Sequence, residues 1–375
     1  MAESRLKVEA ISWQWVEMPL KAPFETSFGA ESVRRFWLVT VYANGLQGYA
    51  ESVASDEPLY SEETHETVRH MIRDHLGPRL LGAPLAAPED VSRLLAPFKG
   101  NRMAKAALEM AVWDLFGRLD GEPVARLLGG TRDRVPVGVS IGIQPTVEDL
   151  VAQARDFWAA GYRRLKIKIR PGWDMKPLAA VREALPEAPI MADANSAYRL
   201  AQIPVFQELD RLQLMMVEQP LNEDDLVDHA TLQAAISTPV CLDESIRHRE
   251  DARHAFQLGS CRIINIKLGR VGGFTEARAI HDLARAGGHA VWCGGMLESG
   301  IGRAANLHIT SLPGFTLPGD TSGSDRYFHE DLVDPPFRVA ADGTLGVPTG
   351  PGLGVVPDPA RLKRFGGSVE WLPAR

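Results

Sequence analysis

Five ionisable residues recur along the middle of the chain at nearly constant spacing. Each ends a short apolar run typical of a buried parallel strand, and 25, 25, 25 and 24 positions separate them: Lys168, Asp193, Glu218, Asp243 and Lys267. This interval is the length of one strand–helix unit, and in a closed (β/α)8 barrel the carboxyl ends of all strands meet at one mouth. The spacing therefore predicts an α/β barrel that gathers these five side chains in one pocket.

The alternation of strand and helix patterns continues from residue 135 to about residue 310. Each predicted helix follows a strand, and the helices are placed at residues 147–160, 175–185, 202–212, 226–236, 249–258, 274–286 and 301–311. The eighth strand is placed near residues 315–317. A barrel occupies roughly 200–250 residues, so a chain of 375 residues has room for a second domain.

The N-terminal third has a different pattern, in which strands come first and helices follow. Strands are predicted over residues 6–20 and 36–51, the latter with a hairpin turn at Asn44-Gly45, and the helices at residues 61–76, 88–95 and 104–119. Residues 23–29 between the strands form either a connector or a lid over a pocket. This order of elements predicts an α+β domain.

The domain boundaries follow from these patterns. The α+β domain is assigned to residues 1–130 and the barrel to residues 131–325. The remaining residues, 326–375, are rich in Pro and Gly and are predicted to run over the surface back to the first domain.

Charge and composition favour small-molecule chemistry in the cytoplasm. The net charge is −7, and the basic residues are scattered, which argues against a nucleic-acid surface. The N-terminus lacks an apolar targeting segment, and no later run reaches the roughly 18 apolar residues of a membrane helix. A Gly-x-Gly-x-x-Gly motif that opens a helix after a strand does not occur, so NAD and FAD are not expected.

The three acidic residues of the series predict a metal site. Carboxylates at three successive strand ends suit Mg²⁺, with Mn²⁺ or another divalent ion able to substitute, whereas zinc would favour His or Cys. The alternative is that Asp193, Glu218 and Asp243 form separate salt bridges. Three acids at matching positions of successive strands favour a shared metal site over this alternative.

The lysines on either side of these acids are candidate bases. Lys166 and Lys168 lie two apart on one strand, so both point into the barrel, and Lys267 is expected on the far side of the acidic strands. Burial and a metal ion would each lower the pKa of a lysine towards that of a general base. The alternative is that Lys166 and Lys168 only neutralise an acidic barrel mouth.

Three further polar residues have two possible roles each. Asn195 and Gln219 could hold water or substrate, or could merely cap the loops in which they lie. Arg270 either belongs to the surface of its Gly-rich loop or lowers the pKa of Lys267 by proximity.

Together these residues resemble the enolase superfamily, muconate-lactonizing subgroup, and most closely its N-acylamino acid racemase (N-succinylamino acid racemase)/o-succinylbenzoate synthase branch. The resemblance covers nearly the whole chain. The motifs that carry it are Lys166-Ile-Lys168 followed by Pro-Gly-Trp-Asp, Asp193-Ala-Asn195, Val217-Glu-Gln-Pro220, Leu242-Asp-Glu-Ser245, Asn265-Ile-Lys267 with Gly-Arg-Val-Gly-Gly, Gly294-Gly-Met-Leu-Glu298, and the segment from Leu317 to Tyr327.

The resemblance implies a modified (β/α)8 TIM barrel under an α+β capping domain, often in homo-oligomers. It implies that Asp193, Glu218 and Asp243 hold a divalent metal, that Lys168 and Lys267 are the acid/base pair, and that Lys166 supports the enolate. The 23–29 segment matches the family's specificity lid. The positions implied to contact substrate are Ser140, Asn195, Tyr327, Met296 and Phe24.

The expected function is metal-dependent racemisation of N-acylamino acids, N-succinyl or N-acetyl, through a metal-stabilised enolate. With bases on both faces of a carbon, one lysine removes the α-proton and the other returns a proton to the opposite face. With one lysine acting as base and then as acid, the same site would eliminate water, which is the o-succinylbenzoate synthase reaction of menaquinone biosynthesis. The remaining alternatives are a Schiff-base aldolase, a non-catalytic metal-binding barrel, a dipeptide epimerase and a cycloisomerase.

Overall fold

A computed structural model describes residues 4–26 and 29–373 of the chain. The N-terminal part begins with an antiparallel sheet in which the strands pair in the order β15-β2-β3-β4, and a separate two-stranded pair joins β1 to β5. The bounds of these strands are β1 Leu6–Lys7, β2 Ala10–Thr26, β3 Gly29–Ala43, β4 Leu46–Glu51 and β5 Pro84–Leu85, with β15 at Gly366–Leu372 near the end of the chain.

The helices of the N-terminal part follow the sheet, as the sequence predicted. Thr64 caps the first of them through a reciprocal capping box with Thr67. The helix α4 is largely buried against the sheet, and Gly121 ends it in the left-handed conformation. The helices are α1 His65–Met71, a π-helical turn Ile72–Leu76, α2 Gly77–Leu80, α3 Asp90–Leu95, α4 Arg102–Asp120 and α5 Val124–Leu128.

The second part of the chain is a curled parallel sheet of seven strands. The strands are hydrogen-bonded in sequence order, β7-β8-β9-β10-β11-β12-β13, and every pair among them is parallel. The strands are β7 Val139–Ile141, β8 Leu165–Lys168, β9 Ile190–Asp193, β10 Val217–Glu218, β11 Val240–Leu242, β12 Ile263–Ile266 and β13 Ala290–Cys293. This sheet with a separate N-terminal domain confirms the predicted fold class.

Helices alternate with these strands close to where the periodicity placed them. Side chains cap several of them, among them Thr146 for α6 and Ser299 for α13. The bounds are α6 Val147–Ala159, α7 Met175–Ala184, α8 Ile203–Leu209 flanked by short 3₁₀ turns, α9 Leu226–Ala235, α10 Arg249–Leu258, α11 Leu268–Val271, α12 Phe274–Ala286 and α13 Gly300–Thr310. Within the described residues, no helix is long and apolar enough to cross a membrane.

The predicted eighth strand is not a regular strand. Instead, the segment from Phe315 to Gly319 makes two isolated parallel bridges, Val291 with Phe315 on one edge of the sheet and Val137 with Gly319 on the other. Pro318 removes one backbone donor from this segment, and the amide of Gly138 donates to the carbonyl of Gly319 over 2.7 Å. The ring therefore closes through an irregular segment.

The segment at residues 23–29 also differs from the prediction of a loop. Its described residues extend β2 and β3 into a long hairpin, with Phe24 paired to Glu31 and Thr26 to Gly29. A register shift between Pro19 and Phe24 bends this extension. Residues 27–28 lie outside the described residues.

The C-terminal segment ends in the N-terminal sheet. After the strand β14 Thr344–Gly346, which pairs with β6 Arg134–Pro136, the chain forms the helix α14 Pro359–Phe365. It then adds β15 as an antiparallel strand beside β2, with Trp371 opposite Ser12. The exact limits of the three predicted regions remain predictions.

Candidate active site

The carboxyl ends of the strands β8 to β12 bring the five ionisable residues of the series together. Lys168 pairs in register with Asp193, and Asp193 pairs with Glu218, on the neighbouring strands β8, β9 and β10. Asp243 and Lys267 follow the last residues of β11 and β12. The acidic strands therefore lie between the two lysine-bearing strands, as the spacing predicted.

Lys166 lies at the centre of a buried ionic cluster. Its ammonium nitrogen is 3.0 Å from Asp193 Oδ2, 3.0 Å from Glu218 Oε2 and 2.7 Å from Asp320 Oδ2. All four side chains are at least nine-tenths buried. Burying a cation together with anions avoids the large cost of burying an isolated charge, so these carboxylates hold the Lys166 side chain in place.

Lys168 is held on one side of this cluster. Its Nζ lies 2.7 Å from Asp193 Oδ2 and 2.5 Å from the side-chain oxygen of Asn195. The amide nitrogen of Asn195 in turn donates to Glu244 over 2.8 Å. Asn195 therefore orients Lys168 and does more than cap its loop.

Lys267 is held on the other side by a carboxylate and an aromatic ring. Its Nζ is 2.8 Å from Asp243 Oδ2 and 3.1 Å from the hydroxyl of Tyr60, and it lies 4.4 Å from the centre of that ring. The Tyr60 hydroxyl donates to Asp243 Oδ1 over 2.9 Å. Since Tyr60 belongs to the N-terminal domain, that domain completes the surroundings of this lysine.

The protein's own charges raise the pKa of two of the lysines, and the lowering expected from a bound metal ion stays a prediction. Burial lowers the pKa of Lys166, but the surrounding carboxylates outweigh it and raise this pKa well above its usual value. For Lys267, burial again lowers the pKa, while Asp243 and Tyr60 raise it by more. The ion pairs responsible join each ammonium to a carboxylate over 2.7–3.0 Å.

Arg270 is neither a surface residue nor a partner of Lys267. It is buried, donates to the Ile246 carbonyl over 2.7 Å, and forms an ion pair with Asp243. Together with Lys267, it lowers the pKa of Asp243 to about 2, against the opposing effect of burial. Its direct contact is therefore with the Asp243 carboxylate, and the lowering of the pKa of Lys267 by Arg270 stays a prediction.

Two roles were predicted for Gln219, holding water or substrate and capping its loop, and its contacts are those of a structural role. Its side-chain oxygen accepts from the amides of Asp243 and Ser245 over 3.0 and 3.2 Å, and its nitrogen donates to Ser245 Oγ over 2.8 Å. Its backbone has a φ of 37°, a left-handed conformation that is uncommon for a residue other than glycine. These bonds fix the loop that carries Asp243.

A cavity of about 450 Å³ opens above the ionic cluster, between the barrel and the N-terminal domain. All three lysines line it, whereas the predicted metal-binding carboxylates lie beneath them. The hydroxyl of Ser140 is buried and has no hydrogen-bond partner among the described residues. The residues predicted to contact substrate all line this cavity: Phe24, Ser140, Asn195, Met296 and Tyr327.

Several residues of the site had not been assigned a role from the sequence. Asp320 pairs with Lys166 and lies in the segment from Leu317 to Tyr327 that carries part of the family resemblance. An acidic residue in that segment could therefore have been recognised as a candidate site residue from the sequence. Asn265 donates to Glu218 over 2.7 Å and precedes Lys267 by two positions, which is also a local signal. Tyr60 and Arg303 line the cavity without a comparable pattern around them.

Comparison with known proteins defines the class to which this fold and site belong. The family described as "Enolase C-terminal domain-like" matches residues 149–361, and the family "Mandelate racemase / muconate lactonizing enzyme, N-terminal domain" matches residues 10–129. The chain belongs to this enolase-type family and is an enzyme.

Individual relatives carry two different names. The chain is 51% identical to an o-succinylbenzoate synthase from Geobacillus kaustophilus, over 96% of each protein. It is 49% identical to an N-succinylamino acid racemase from Thermus thermophilus, over 93% of this chain and 95% of that protein. A crystal structure of an enolase superfamily member from Listeria innocua matches with a TM-score of 0.95 at 41% identity, covering 98% of this chain and 99% of the other.

Proposed function

We propose that the protein racemises N-acylamino acids with a bound divalent metal ion, using Lys168 and Lys267 as its two bases. The observation that carries the proposal is the placement of these lysines on either side of three buried carboxylates, facing one cavity. Racemisation needs a proton donor and a proton acceptor on opposite faces of one carbon. Relatives named N-succinylamino acid racemase support this assignment.

The residues beneath the cavity fit a divalent ion in chemistry and in charge. Asp193, Glu218 and Asp243 offer hard oxygen atoms, which Mg²⁺ and Mn²⁺ prefer. Burial, and then the neighbouring Asp193 carboxylate, raise the pKa of Glu218 well above its usual value, so this cluster favours additional positive charge. When bound, such an ion would supply positive charge to the carboxylate of the substrate.

The carboxylates are not arranged as a finished metal cage. No group of three His, Cys, Asp or Glu side chains in residues 4–26 and 29–373 has the arrangement of a metal site. The ammonium of Lys166 lies within 3.0 Å of both Asp193 and Glu218 and so stands between these two ligands. Lys166 also lines the cavity, where it would support the enolate while Asp193, Glu218 and Asp243 would hold the metal.

The lysines exchange the α-proton. Removing this proton from a carbon beside a carboxylate creates a second negative charge on a small group, and fixed positive charges lower that cost. One of Lys168 and Lys267 takes the proton in neutral form while the other donates from its ammonium form to the opposite face. Asn195 and Tyr60 hold the two nitrogen atoms in position for this step.

A second activity, o-succinylbenzoate synthesis, is supported by relatives of that name at similar identity. In this reaction a single lysine would remove the proton and then protonate the departing hydroxyl group. Both reactions share the carboxylates and the cavity, so one site could serve both. Cytoplasmic location and assembly into a homo-oligomer stay predictions from the sequence.

The test is to measure optical rotation of N-succinyl-L-phenylalanine with the purified protein. Loss of rotation with Mg²⁺ or Mn²⁺, absence of activity after chelation and recovery on adding metal back would support the racemase. Formation of o-succinylbenzoate from its hydroxylated precursor without any racemisation would replace this proposal with the second activity. Borohydride trapping of substrate on a lysine would instead indicate a Schiff-base enzyme.

A further inference from the structure

Asp320 is a buried carboxylate on the segment that closes the ring of strands. Its backbone amide donates to the carbonyl of Cys293, the last residue of β13, over 2.8 Å. The carbonyl of the preceding Gly319 accepts from the amide of Gly138, next to β7, over 2.7 Å. The backbone of this segment is therefore tied to both edges of the parallel sheet, and the Asp320 side chain lines the cavity from a fixed position.

Two buried cations hold the carboxylate of Asp320. Its Oδ2 lies 2.7 Å from Lys166 Nζ, and its Oδ1 forms an ion pair with Nη2 of Arg164, which is fully buried. Both cations also lie near the ring of Trp292, with Arg164 Cζ at 4.5 Å and Lys166 Nζ at 5.1 Å from its centre. Attraction between a cation and an aromatic ring supports this arrangement. Arg164, Asp320 and Lys166 thus form one connected row inside the barrel.

Arg164 keeps the carboxylate of Asp320 charged and in place. Burial raises the pKa of Asp320, but Arg164 and Lys166 outweigh burial and lower this pKa below its usual value. The arginine itself needs room that only glycine leaves, because a Cβ at residue 138 would lie 2.6 Å from Arg164 Nε. The chain therefore places a fully buried cation beside this one acid, next to the predicted catalytic residues.

Asp320 differs from the other two acids that contact Lys166. Asp193 and Glu218, each 3.0 Å from Lys166 Nζ, belong to the predicted metal-binding set, whereas Asp320 does not. Within residues 4–26 and 29–373, no fourth carboxylate forms an ion pair with this ammonium. An ammonium and a divalent ion that share the same carboxylates repel each other at short range. Asp320 is thus the partner of Lys166 that does not have to be shared with a metal ion.

We propose that Asp320 is a positioning residue that holds the Lys166 ammonium at the cavity and so leaves Asp193 and Glu218 to bind the metal ion. The inference rests on the proposed function, in which Lys166 supports the enolate and these two acids are metal ligands. Arg164 contributes one contact further away, by fixing Asp320. A distinctive consequence is that Asp320 strengthens metal binding through a lysine, without being a ligand itself.

A double-mutant cycle on Mn²⁺ affinity, measured by titration calorimetry of the metal-free protein, tests this consequence. Asp320→Asn should weaken Mn²⁺ binding about tenfold or more, the scale of a hydrogen bond between charged groups. In a Lys166→Met background the same substitution should have an effect at least about fivefold smaller, because no ammonium remains to be held. Equal weakening in both backgrounds would overturn the proposal, since Asp320 would then act on the ion directly.

Glu298→Gln is the matched control for the loss of a buried carboxylate. Glu298 also lines the cavity, but it accepts from the Met296 amide over 2.8 Å and from the Asn306 side chain over 3.0 Å and does not pair with Lys166. This control should change Mn²⁺ affinity by less than about threefold. A loss as large as that of Asp320→Asn would overturn the proposal, because it would show that any acid of the cavity wall has this effect.

The metal measurement also separates this inference from the proposed function. If the wild-type protein binds Mn²⁺ but does not racemise N-succinyl-L-phenylalanine, the racemase assignment fails, and the cycle still decides the role of Asp320. A wild-type protein that binds neither Mn²⁺ nor Mg²⁺ would overturn both. If the variants do not fold, a crystal structure of the Mn²⁺-loaded wild-type protein decides. Lys166 Nζ within hydrogen-bond distance of Asp320 supports the proposal, and an ammonium that has left Asp320 overturns it.

Discussion

Replacing Lys267 by Ala should separate the two halves of the proposed reaction. The variant loses one of two bases, and removal of a positioned general base slows proton transfer by about 10²- to 10⁴-fold, or about 3–5 kcal/mol in activation free energy. Asp243 keeps two partners in this variant, the Tyr60 hydroxyl at 2.9 Å and the ion pair with Arg270. The carboxylate is therefore not left unpaired, and KM should change by less than about threefold.

The assay is proton NMR in D₂O with each enantiomer of an N-succinylamino acid supplied separately. In the Lys267→Ala variant, Lys168 can still exchange the α-proton of the enantiomer that presents this proton to it, whereas the other enantiomer should not exchange. Lys168→Ala is the matched variant and should show the opposite preference. The reasoning would be refuted if either variant racemised at the wild-type rate, or if both lost exchange of the same enantiomer.

Three further predictions concern the metal site, Tyr60 and pH. Glu218→Gln should weaken Mn²⁺ binding at least about tenfold in titration calorimetry, because it removes one of the charged oxygen ligands, and unchanged affinity would remove Glu218 from the metal site. Tyr60→Phe loses the hydroxyl contacts to Lys267 and Asp243 but keeps the ring. We therefore expect kcat to fall about tenfold or more with unchanged thermal stability. An unaltered kcat would show that this hydroxyl does not position the base. Burial raises the pKa of Glu109 from 4.5 to about 7 in the folded protein, so folding favours the neutral form of this side chain. Its contribution to the free energy of unfolding should therefore fall by up to about 3 kcal/mol as the pH rises from about 4.5 to 7. Glu109→Gln should lack this part of the pH dependence in urea unfolding, and equal slopes in the two proteins would contradict it.

The regular part of the fold could be predicted because a local pattern specifies it. The strands β8 to β12 are short apolar runs, and a parallel sheet of consecutive strands must bring their carboxyl ends to one edge. This topology alone places Lys168, Asp193 and Glu218 beside one another. The helices α10 and α12 begin and end where their periodicity predicted.

The irregular parts depend on contacts between distant segments. The extension of β2 over residues 24–26 is stabilised by pairing with β3, such as Phe24 with Glu31, which the sequence after Pro23 does not reveal. The segment at 315–319 closes the ring through single bridges to Val137 and Val291, which are far apart in the chain. Neither feature has a periodic pattern of its own.

The electrostatics of the site also required the three-dimensional arrangement. Types of residue and strand order predicted a cluster of lysines and acids, but the direction of a pKa shift depends on which charges lie within about 3–4 Å. Asp320 reaches Lys166 from the ring-closing segment, and Tyr60 reaches Lys267 from the other domain. These distances decide that the ion pairs outweigh burial.

The most direct test of the two-base arrangement is the position of deuterium early in a single-enantiomer reaction. The wild-type, metal-loaded protein is given N-succinyl-L-phenylalanine in D₂O, and substrate and product are separated after a few per cent of conversion. Two lysines on opposite faces predict that the D-product carries deuterium at the α-carbon, because the second lysine delivers a proton exchanged with solvent, while the recovered L-substrate remains largely protonated. A product that retains the original α-proton would show that one base serves both faces and would contradict the assignment of Lys168 and Lys267.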